Sequence, residues 1–262
     1  MKKFLTLILV VIFFTSCIPN KDLVYFQGEA DQNGSIQKLQ NEPYKLQVND
    51  VLNIDIKSSD EKLVELFKTS TTSANTNVNT MYNDQTLYFT GYSVDRLGNI
   101  RLPYIGEINV LGYTENEVRE KIEKEFETYF KNPDDVFITV KLAGIRFTVL
   151  GEVGSTGTKV LYQNQVNLIE AIANSGDITM VGNRKNVTII RKNIDGTKRF
   201  RVDMTDVNTF ESENFFIQSN DIVYVEPLKQ KSWGTGTTGV QTLTTIITAL
   251  SLVTTTILLF RL

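Results

Sequence analysis

The chain has 262 residues, a formal net charge of −3 and no histidine. The absence of histidine removes the commonest general base and the commonest metal ligand of proteins. The basic residues do not cluster along the chain, which excludes nucleic acid as an expected partner. This length leaves room for about two modest domains between the two ends of the chain.

The first 16 residues have the organisation of a bacterial lipoprotein signal peptide. A basic pair, an apolar stretch from Phe4 to Phe14 and the small residues Thr15-Ser16 precede Cys17. Cys17 is the only cysteine, so an intrachain disulfide is impossible and lipidation is its expected use. Cleavage would remove Lys2 and Lys3 and change the net charge from −3 to −5. The alternative is an ordinary signal peptide with a chance cysteine.

Residues 17–43 are mostly polar and are predicted to be an N-terminal tether. The tether contains one short apolar patch, Leu23 to Phe26. We expect this patch to form a strand or to plug against the first domain, and not to form a site.

A first domain is predicted over residues 44–142. Asn49-Asp50 predicts a turn before a strand, because asparagine tolerates the left-handed conformation that turns often require. A turn at Gly98 and a bend at Pro103 and Gly106 separate further short strands. The polar run over residues 69–86 cannot bury enough apolar surface to fold by itself, so we interpret it as a mobile loop.

A helix is predicted to begin after Thr114, because Glu117 follows three residues later and completes a capping box. Val118, Ile122 and Phe126 recur every four residues and are expected to form its buried stripe.

A second domain is predicted over residues 143–230. A strand ends at the turn from Gly151 to Gly157. Asn167 caps a helix, Glu170 completes its capping box and Gly176 marks its C-terminal end. A helix held by a mixed sheet is the β-grasp arrangement.

One short phrase occurs in both predicted domains. Asn49-Asp50 precedes the first strand of the first domain, and Asn220-Asp221 precedes the last strand of the second. The repetition suggests two related units of turn and strand in two small β-containing domains.

Residues 231–239 are predicted to be a flexible neck, and residues 240–262 a transmembrane helix. No charged residue occurs from Ser232 to Phe260. At about 1.5 Å per residue the last segment would reach roughly 30 Å, which is the thickness of one bilayer core.

The predicted terminal helix is amphipathic. Its apolar residues fall on one face of a helical wheel, which is expected to face lipid: Leu243, Ile246, Ile247, Leu250, Val253 and Ile257. Its hydroxyl residues fall on the opposite face, which is expected to line a pore: Thr244, Thr245, Thr248, Ser251 and Thr255.

Three interpretations of the terminal segment remain open. A lone membrane anchor tolerates threonine, because its hydroxyl can bond back to the carbonyl four residues earlier. The second interpretation is a buried helix of a soluble core. The third is a helix with one side to lipid and the other to water or to sister helices, because several copies would shelter the hydroxyl face. This third interpretation predicts a ring.

Three phrases of the first domain resemble the polysaccharide export domain of outer-membrane capsule and exopolysaccharide exporters. They are YKLQVNDVLNIDI, VDRLGNIRLPYIGEINVLGYTENEVREKI and NPDDVFITV. The stretch FTVLGEVGSTGTKVLYQNQVNLIEAIANSGDITMVGNRKNVTIIRK resembles the SLBB β-grasp module that follows that domain in the same family. Together they cover most of residues 44–228.

The resemblance implies an α+β fold, with a small polysaccharide export domain, a β-grasp (SLBB) domain and a C-terminal amphipathic transmembrane helix. It implies an outer-membrane lipoprotein, anchored from the periplasmic side, whose last helix spans outward. The family forms homo-oligomeric rings, with an octamer as the expected state, and these are exit channels for capsular or extracellular polysaccharide. An inner-membrane co-polymerase, often a tyrosine kinase, is the implied partner.

No catalytic residue, cofactor or metal site is predicted. The chain has no phosphate-cradling glycine loop, and Asp134-Asp135 are expected to be loop acids. Two alternative functions remain. One is a structural lipoprotein of another envelope secretion or adhesion complex, with the terminal helix as a plain anchor, and the other is an enzyme acting on envelope glycans.

Overall fold

The computed structural model describes residues 18–28, 42–58, 89–127, 136–193, 196–232 and 239–259. Several predicted features lie outside the described residues: the signal peptide predicted over residues 1–16, Cys17, the polar run over residues 69–86 and Asp134-Asp135. Lipidation and a mobile loop therefore stay predictions.

The first domain is built on a three-stranded antiparallel sheet of order β2-β1-β5. Alternation along β1 places Leu52 and Ile56 in the core, which is why this apolar-polar sequence forms a half-buried strand. A separate antiparallel hairpin joins β3 to β4. The strands are β1 Val51–Ser58, β2 Tyr92–Ser93, β3 Asn99–Leu102, β4 Gly106–Asn109 and β5 Val136–Leu142.

Helix α1, Glu115–Glu127, packs against β5. Its buried residues are the predicted stripe of Val118, Ile122 and Phe126. The capping box also forms, because the Thr114 N–H donates to Glu117 Oε2 at 2.7 Å and the Glu117 N–H donates to Thr114 Oγ1 at 3.4 Å.

The second domain is a β-grasp with a mixed sheet of order β10-β9-β12-β6-β7. β12 and β6 are parallel neighbours, so the first and last strands of this sheet lie side by side in its middle. Helix α2, Leu168–Asn174, begins at Asn167, which forms a capping box with Glu170. The strands of the sheet are β6 Ile145–Gly151, β7 Gly157–Leu161, β9 Gly182–Asn193, β10 Gly196–Val202 and β12 Ile222–Pro227.

Two shorter elements complete this domain. β8, Val166–Asn167, pairs with β11, Phe216–Ile217. A 3-10 helix, Val207–Glu211, lies between β10 and β11.

One face of the five-stranded sheet forms the core of the second domain. Ile145, Phe147, Val149, Ile189 and Val223 are all 0 % exposed. Burial of one such side chain contributes about 1.5–3 kcal/mol, so this face supplies a large part of the folding free energy. The same cluster of buried residues continues into the first domain.

β6 must end in glycine because the backbone of β12 passes too close for a side chain. Gly151 has φ +94, and a Cβ added there would stand 2.0 Å from the carbonyl oxygen of Val225. No side chain fits at that distance.

The apolar patch from Leu23 to Phe26 packs on the second domain, so the expectation that it plugs against the first domain is wrong. The Phe26 N–H donates to the Met204 carbonyl at 3.2 Å, and Gln27 forms an isolated parallel β-bridge with the backbone at Asp206. The Phe26 ring lies 4.9 Å from the ring of Phe210, which belongs to the 3-10 helix of the second domain.

The terminal segment is helical, but the prediction that it spans a membrane is wrong. A short helix, α3 (Lys229–Ser232), is followed by α4, Gly239–Leu259. Among the described residues, no helix combines the length and the apolar character that crossing a membrane requires. Threonines, together with Gln241 and Ser251, occupy positions that a spanning helix fills with apolar side chains.

Candidate functional site

The same four-residue turn occurs once in each domain. It reads Gln-x-Asn-Asp, over residues 47–50 and again over residues 218–221. Asn49 and Asn220 have positive φ values of 69° and 67°. In both copies the aspartate Oδ2 accepts a hydrogen bond from the backbone N–H of the glutamine, at 2.8 and 2.9 Å. The repeated phrase is therefore one local structure used twice.

A buried ion pair holds the aspartate of the second turn. Arg191 donates from Nε to Asp221 Oδ1 at 3.0 Å and from Nη2 to Asp221 Oδ2 at 2.8 Å. Arg191 Nη2 also donates to the Phe216 carbonyl at 3.0 Å. The two side chains are 9 % and 0 % exposed, so removing either one leaves a buried charge without its counterion.

Neutral groups hold the aspartate of the first turn. The Tyr44 hydroxyl donates to Asp50 Oδ2 at 2.9 Å, and the Ser219 hydroxyl lies against the same carboxyl group. Burial raises the pKa of Asp50 above its ordinary value, and hydrogen bonds from Gln47, Ser219 and Tyr44 oppose that rise. Burial and the Asp50 charge together raise the pKa of Tyr44 well above its usual range.

The two turns meet at the boundary between the domains. Gln47 Nε2 donates to Gln218 Oε1 at 2.7 Å, and Ser219 of the second turn reaches Asp50 of the first. Each turn is itself fixed by its own aspartate, and these polar contacts add to the buried core that the two domains share.

A second junction lies beside the first turn of α1. Glu115 Oε1 accepts from the Leu142 N–H at 2.6 Å, and Glu115 Oε2 accepts from Asn164 Nδ2 at 2.9 Å. Gln165 Nε2 donates to the Glu42 carbonyl at 2.8 Å. Glu115, Asn164 and Gln165 line a cavity of about 180 Å³. The carboxylate of Glu115 and the amide nitrogens of Asn164 and Gln165 already bond to protein, so these groups join the two domains.

The N-terminal segment from Asn20 to Gln27, which we call the N-terminal strap, is held by aromatic and ionic contacts. The Phe26 ring lies 4.9 Å from the Phe210 ring. Lys185 Nζ lies 2.6 Å from Asp22 Oδ1. Both contacts attach the strap to the second domain.

Tyr25 of the strap is held by a hydrogen bond from its hydroxyl and by a cation over the face of its ring. Its hydroxyl donates to Asp177 Oδ1, and the Arg184 guanidinium lies 5.0 Å from the ring centre. Burial, reinforced by the hydrogen bond to Asp177, raises the pKa of Tyr25 to about 12. The hydroxyl therefore stays protonated at physiological pH and keeps donating to Asp177.

The hydroxyl residues of α4 form a stripe along one side of the helix. Thr244, Thr248, Ser251 and Thr255 follow the spacing of successive helical turns, and they are exposed together with Thr245. Of the predicted lipid-facing residues, Ile247, Leu250 and Val253 are also exposed and Ile246 is half-buried. The side chains of Leu243 and Ile257 lie outside the described residues.

Hydroxyl groups on α4 donate to the helix's own carbonyls. Thr248 Oγ1 donates to the Thr244 carbonyl at 2.6 Å, and Thr255 Oγ1 donates to the Ser251 carbonyl at 2.6 Å. Ser251 Oγ donates to the Thr248 carbonyl at 2.9 Å. Since the hydroxyl donors of Thr248, Ser251 and Thr255 are used internally, these three side chains present acceptor lone pairs to their surroundings.

The remaining predicted turn positions lie at the ends of strands or helices. Pro103 starts the connection from β3 to β4, where the Ile105 N–H donates to its carbonyl at 2.7 Å. The glycines predicted at turns all have positive φ: Gly98, Gly106, Gly151, Gly157 and Gly176.

Within the described ranges, no group of three or more histidine, cysteine, aspartate or glutamate side chains could hold a metal ion. The absence of an enzymatic role stays a prediction.

Sequence reasoning did not identify the residues that join the domains. Gln47 and Gln218 carry a visible signal, because each stands three positions before the aspartate of a repeated phrase. Glu115 carries no such signal, because its partner Asn164 lies 49 positions away in the other domain. The same holds for Arg191, which lies 30 positions from Asp221.

Two family models match consecutive parts of the chain. A model described as polysaccharide biosynthesis/export protein matches residues 38–142, and a model described as SLBB domain matches residues 145–225. Together the two models cover residues 38–142 and 145–225, which confirms the resemblance of the chain's phrases to the polysaccharide export family.

The chain is also similar to curated proteins of known name. It is 28 % identical over 187 residues to the EPS I polysaccharide export outer membrane protein EpsA of Ralstonia nicotianae. It is 28 % identical over 188 residues to the protein of the same name from Ralstonia solanacearum. These matches cover 70 % and 71 % of this chain but 47 % and 48 % of the relatives, so it spans about half the length of the relatives it matches.

Proposed function

We propose that this protein is the outer-membrane component through which a bacterium exports an extracellular or capsular polysaccharide. The observation that carries the proposal is the succession of an export domain and an SLBB domain over residues 38–225. The names of the relatives, which are outer-membrane export proteins for EPS I, support the same function.

The proposed working form is a homo-oligomeric ring, with an octamer as the expected state, attached to the outer membrane through lipid on Cys17. A ring suits passive export because a wide polar path lets a hydrated polymer pass without covalent chemistry. Synthesis and an inner-membrane co-polymerase, of the kind that often carries a tyrosine kinase, supply the energy.

The proposed path includes the hydroxyl stripe of α4. Thr248, Ser251 and Thr255 present acceptors, since their hydroxyl donors bond to helix carbonyls. Sugar hydroxyls can donate to these acceptors and exchange one for the next as the polymer moves. Each such bond has a small net free energy, about 0.5–1.5 kcal/mol, so contacts of this strength permit sliding.

The test replaces the stripe in the full chain by isosteric apolar residues, Thr244→Val, Thr248→Val, Ser251→Ala and Thr255→Val. We expect surface polysaccharide to fall strongly while the amount of protein in the outer membrane stays constant. The matched control is Ile247→Val with Val253→Ile, which changes the other side of α4 and should leave export unchanged. Unchanged export in the stripe variant would exclude this stripe from the path.

Deletion of residues 240–262 separates the exporter from a structural lipoprotein. An exporter loses surface polysaccharide on deletion, whereas a scaffold held by lipid on Cys17 keeps it. The mass of the detergent-extracted protein tests the ring directly, because a stable monomer is incompatible with it.

A further inference from the structure

The five-stranded sheet of the second domain has one face buried in the core and one face that we call the open face. The centre of the open face consists of Ile190, Ile222, Tyr224 and Leu150. The first three side chains are half-buried and Leu150 is 43 % exposed. The strand register aligns Arg199 with Ile190 and Ile222, and Arg201 with Thr188 and Tyr224. An apolar centre therefore borders directly on a cationic edge.

The cations of the open face are exposed and unpaired. Arg199 and Arg201 on β10, Lys192 on β9 and Arg146 on β6 form no ion pair or side-chain hydrogen bond with any residue that the structure describes. On the described strands of this face Glu226 is the acidic residue, and its Oε2 accepts a hydrogen bond from Asn186 Nδ2 at 2.7 Å. Four cations against this one carboxylate leave the open face with a net positive charge, most of it at the β10–β9 edge.

This composition is that of a protein interface. Aliphatic side chains at the centre suit contact with another protein's apolar surface better than contact with a hydrated glycan, and Tyr and Arg are enriched in interfaces. The cationic edge requires an acidic surface on the partner, because like charges across an interface weaken it.

The same chain carries such an acidic surface on α1. Helix α1 contains six glutamates and three basic residues, which gives it a net charge of −3. Arg119 is engaged by Glu120 and Glu123, and Lys121 donates to the Asn109 carbonyl at 3.1 Å. Glu125 and Glu127 are exposed in the last described turn of α1, next to the exposed Lys124.

We propose that the open face of one copy packs on α1 of the next copy around the ring. The interface joins two different surfaces of one chain, and repeated head-to-tail contact of this kind produces a closed ring when the rotation closes. Arg199 and Arg201 face Glu125 and Glu127 of the neighbour. This inference rests on the ring of the proposed function and adds to it the surfaces that form the ring.

The test uses charge reversal in the full chain, solubilised in detergent, with assembly followed by mass against protein concentration. One chain carries Arg199→Glu and Arg201→Glu, and a second carries Glu125→Lys and Glu127→Lys. We expect the concentration for half-assembly to rise at least about tenfold for either chain alone, because like charges then meet in every contact.

An equimolar mixture of the two reversed chains should assemble again. In an alternating ring every contact pairs opposite charges, either reversed on both sides or unchanged on both sides. The matched control is Lys57→Glu with Lys141→Glu, which reverses two exposed cations of the first domain and should assemble as the unaltered chain does. Circular dichroism and the unfolding midpoint of each variant show that it has folded.

The outcomes separate this inference from the proposed function. An unaltered chain that stays monomeric contradicts the ring itself. An unaltered ring that both reversed chains still form overturns the open face as an interface, while the proposed function stands. If each reversed chain dissociates but the mixture does not recover, α1 is not the partner of the open face and the inference is overturned.

Discussion

Gln47 and Gln218 join the two domains through one side-chain hydrogen bond, with Gln47 Nε2 donating to Gln218 Oε1 at 2.7 Å. The two glutamines occupy the same position in two copies of one turn. The bond therefore links equivalent points of the two modules.

The first prediction concerns this bond. Replacing Gln47 or Gln218 by Ala should lower the free energy of unfolding by about 0.5–1.5 kcal/mol each, the usual net value of such a bond. The double variant should lose clearly less than the sum, since either single change already breaks the bond. Urea unfolding measures all three, with Gln163→Ala at an exposed position as the control. Additive losses would show that the glutamines do not interact.

The second prediction concerns the pH dependence of stability at Asp50. Its pKa is raised in the folded protein by burial, so the folded state holds the proton more tightly than the unfolded chain does. The stabilisation from this proton is fully present below the unfolded pKa and is lost as the pH rises through the folded pKa.

Asp50→Asn tests the effect of this proton, because the asparagine side chain does not titrate but still has an oxygen that accepts from the Gln47 N–H. The variant should gain stability relative to the unaltered chain as the pH rises from acid to neutral. Denaturant unfolding at a series of pH values measures the difference. Asp95→Asn, at an exposed turn aspartate that also accepts backbone N–H groups, is the control. If both variants gain stability with rising pH to the same extent, burial of Asp50 is not the cause of the gain.

The third prediction compares Gly151→Ala with Gly157→Ala. Both glycines have positive φ, which costs an alanine about 1–2 kcal/mol. A Cβ at Gly151 meets the Val225 carbonyl at 2.0 Å, whereas a Cβ at Gly157 has no atom within 4 Å. Gly151→Ala should therefore lower the free energy of unfolding by about 1–3 kcal/mol more than Gly157→Ala does, which is the usual cost of overpacking. Thermal and denaturant unfolding compare them, and equal losses would mean that β6 and β12 separate without cost.

The fourth prediction concerns the N-terminal strap. Phe26→Ala removes a ring that packs 4.9 Å from the Phe210 ring, and it should cost about 1–3 kcal/mol, less than a fully buried phenylalanine. Val24→Ala, at a side chain that is 44 % exposed, is the matched control and should have little effect. Unfolding and the rate of proteolysis near the N-terminus report the change. If Phe26→Ala has as little effect on the free energy of unfolding as Val24→Ala, the contact of Phe26 with Phe210 contributes no stability.

Local patterns were predicted from the sequence because their partners are three or four residues apart. The capping boxes of α1 and α2 and the stripe of Val118, Ile122 and Phe126 belong to this group. The repeated Asn-Asp phrase also required no tertiary information, since asparagine favours positive φ through its own side chain.

Contacts between distant residues could not be predicted in this way. Gln47 and Gln218 are 171 positions apart, and Arg191 lies 30 positions from Asp221. Only the fold brings them together. The interpretation of α4 as a membrane span gave too much weight to the absence of charge and too little to its threonines.

The attachment of the N-terminal strap to the β-grasp matters for anyone who expresses this protein in pieces. The N-terminal strap packs on the second domain, the next part of the chain forms the first domain, and the chain then forms the rest of the second domain. Boundaries at residues 142 and 145 therefore cut a module that is not continuous in sequence. A fragment beginning at residue 143 would lack Phe26 and would present the Phe210 ring to water, so its solubility would say little about the intact chain.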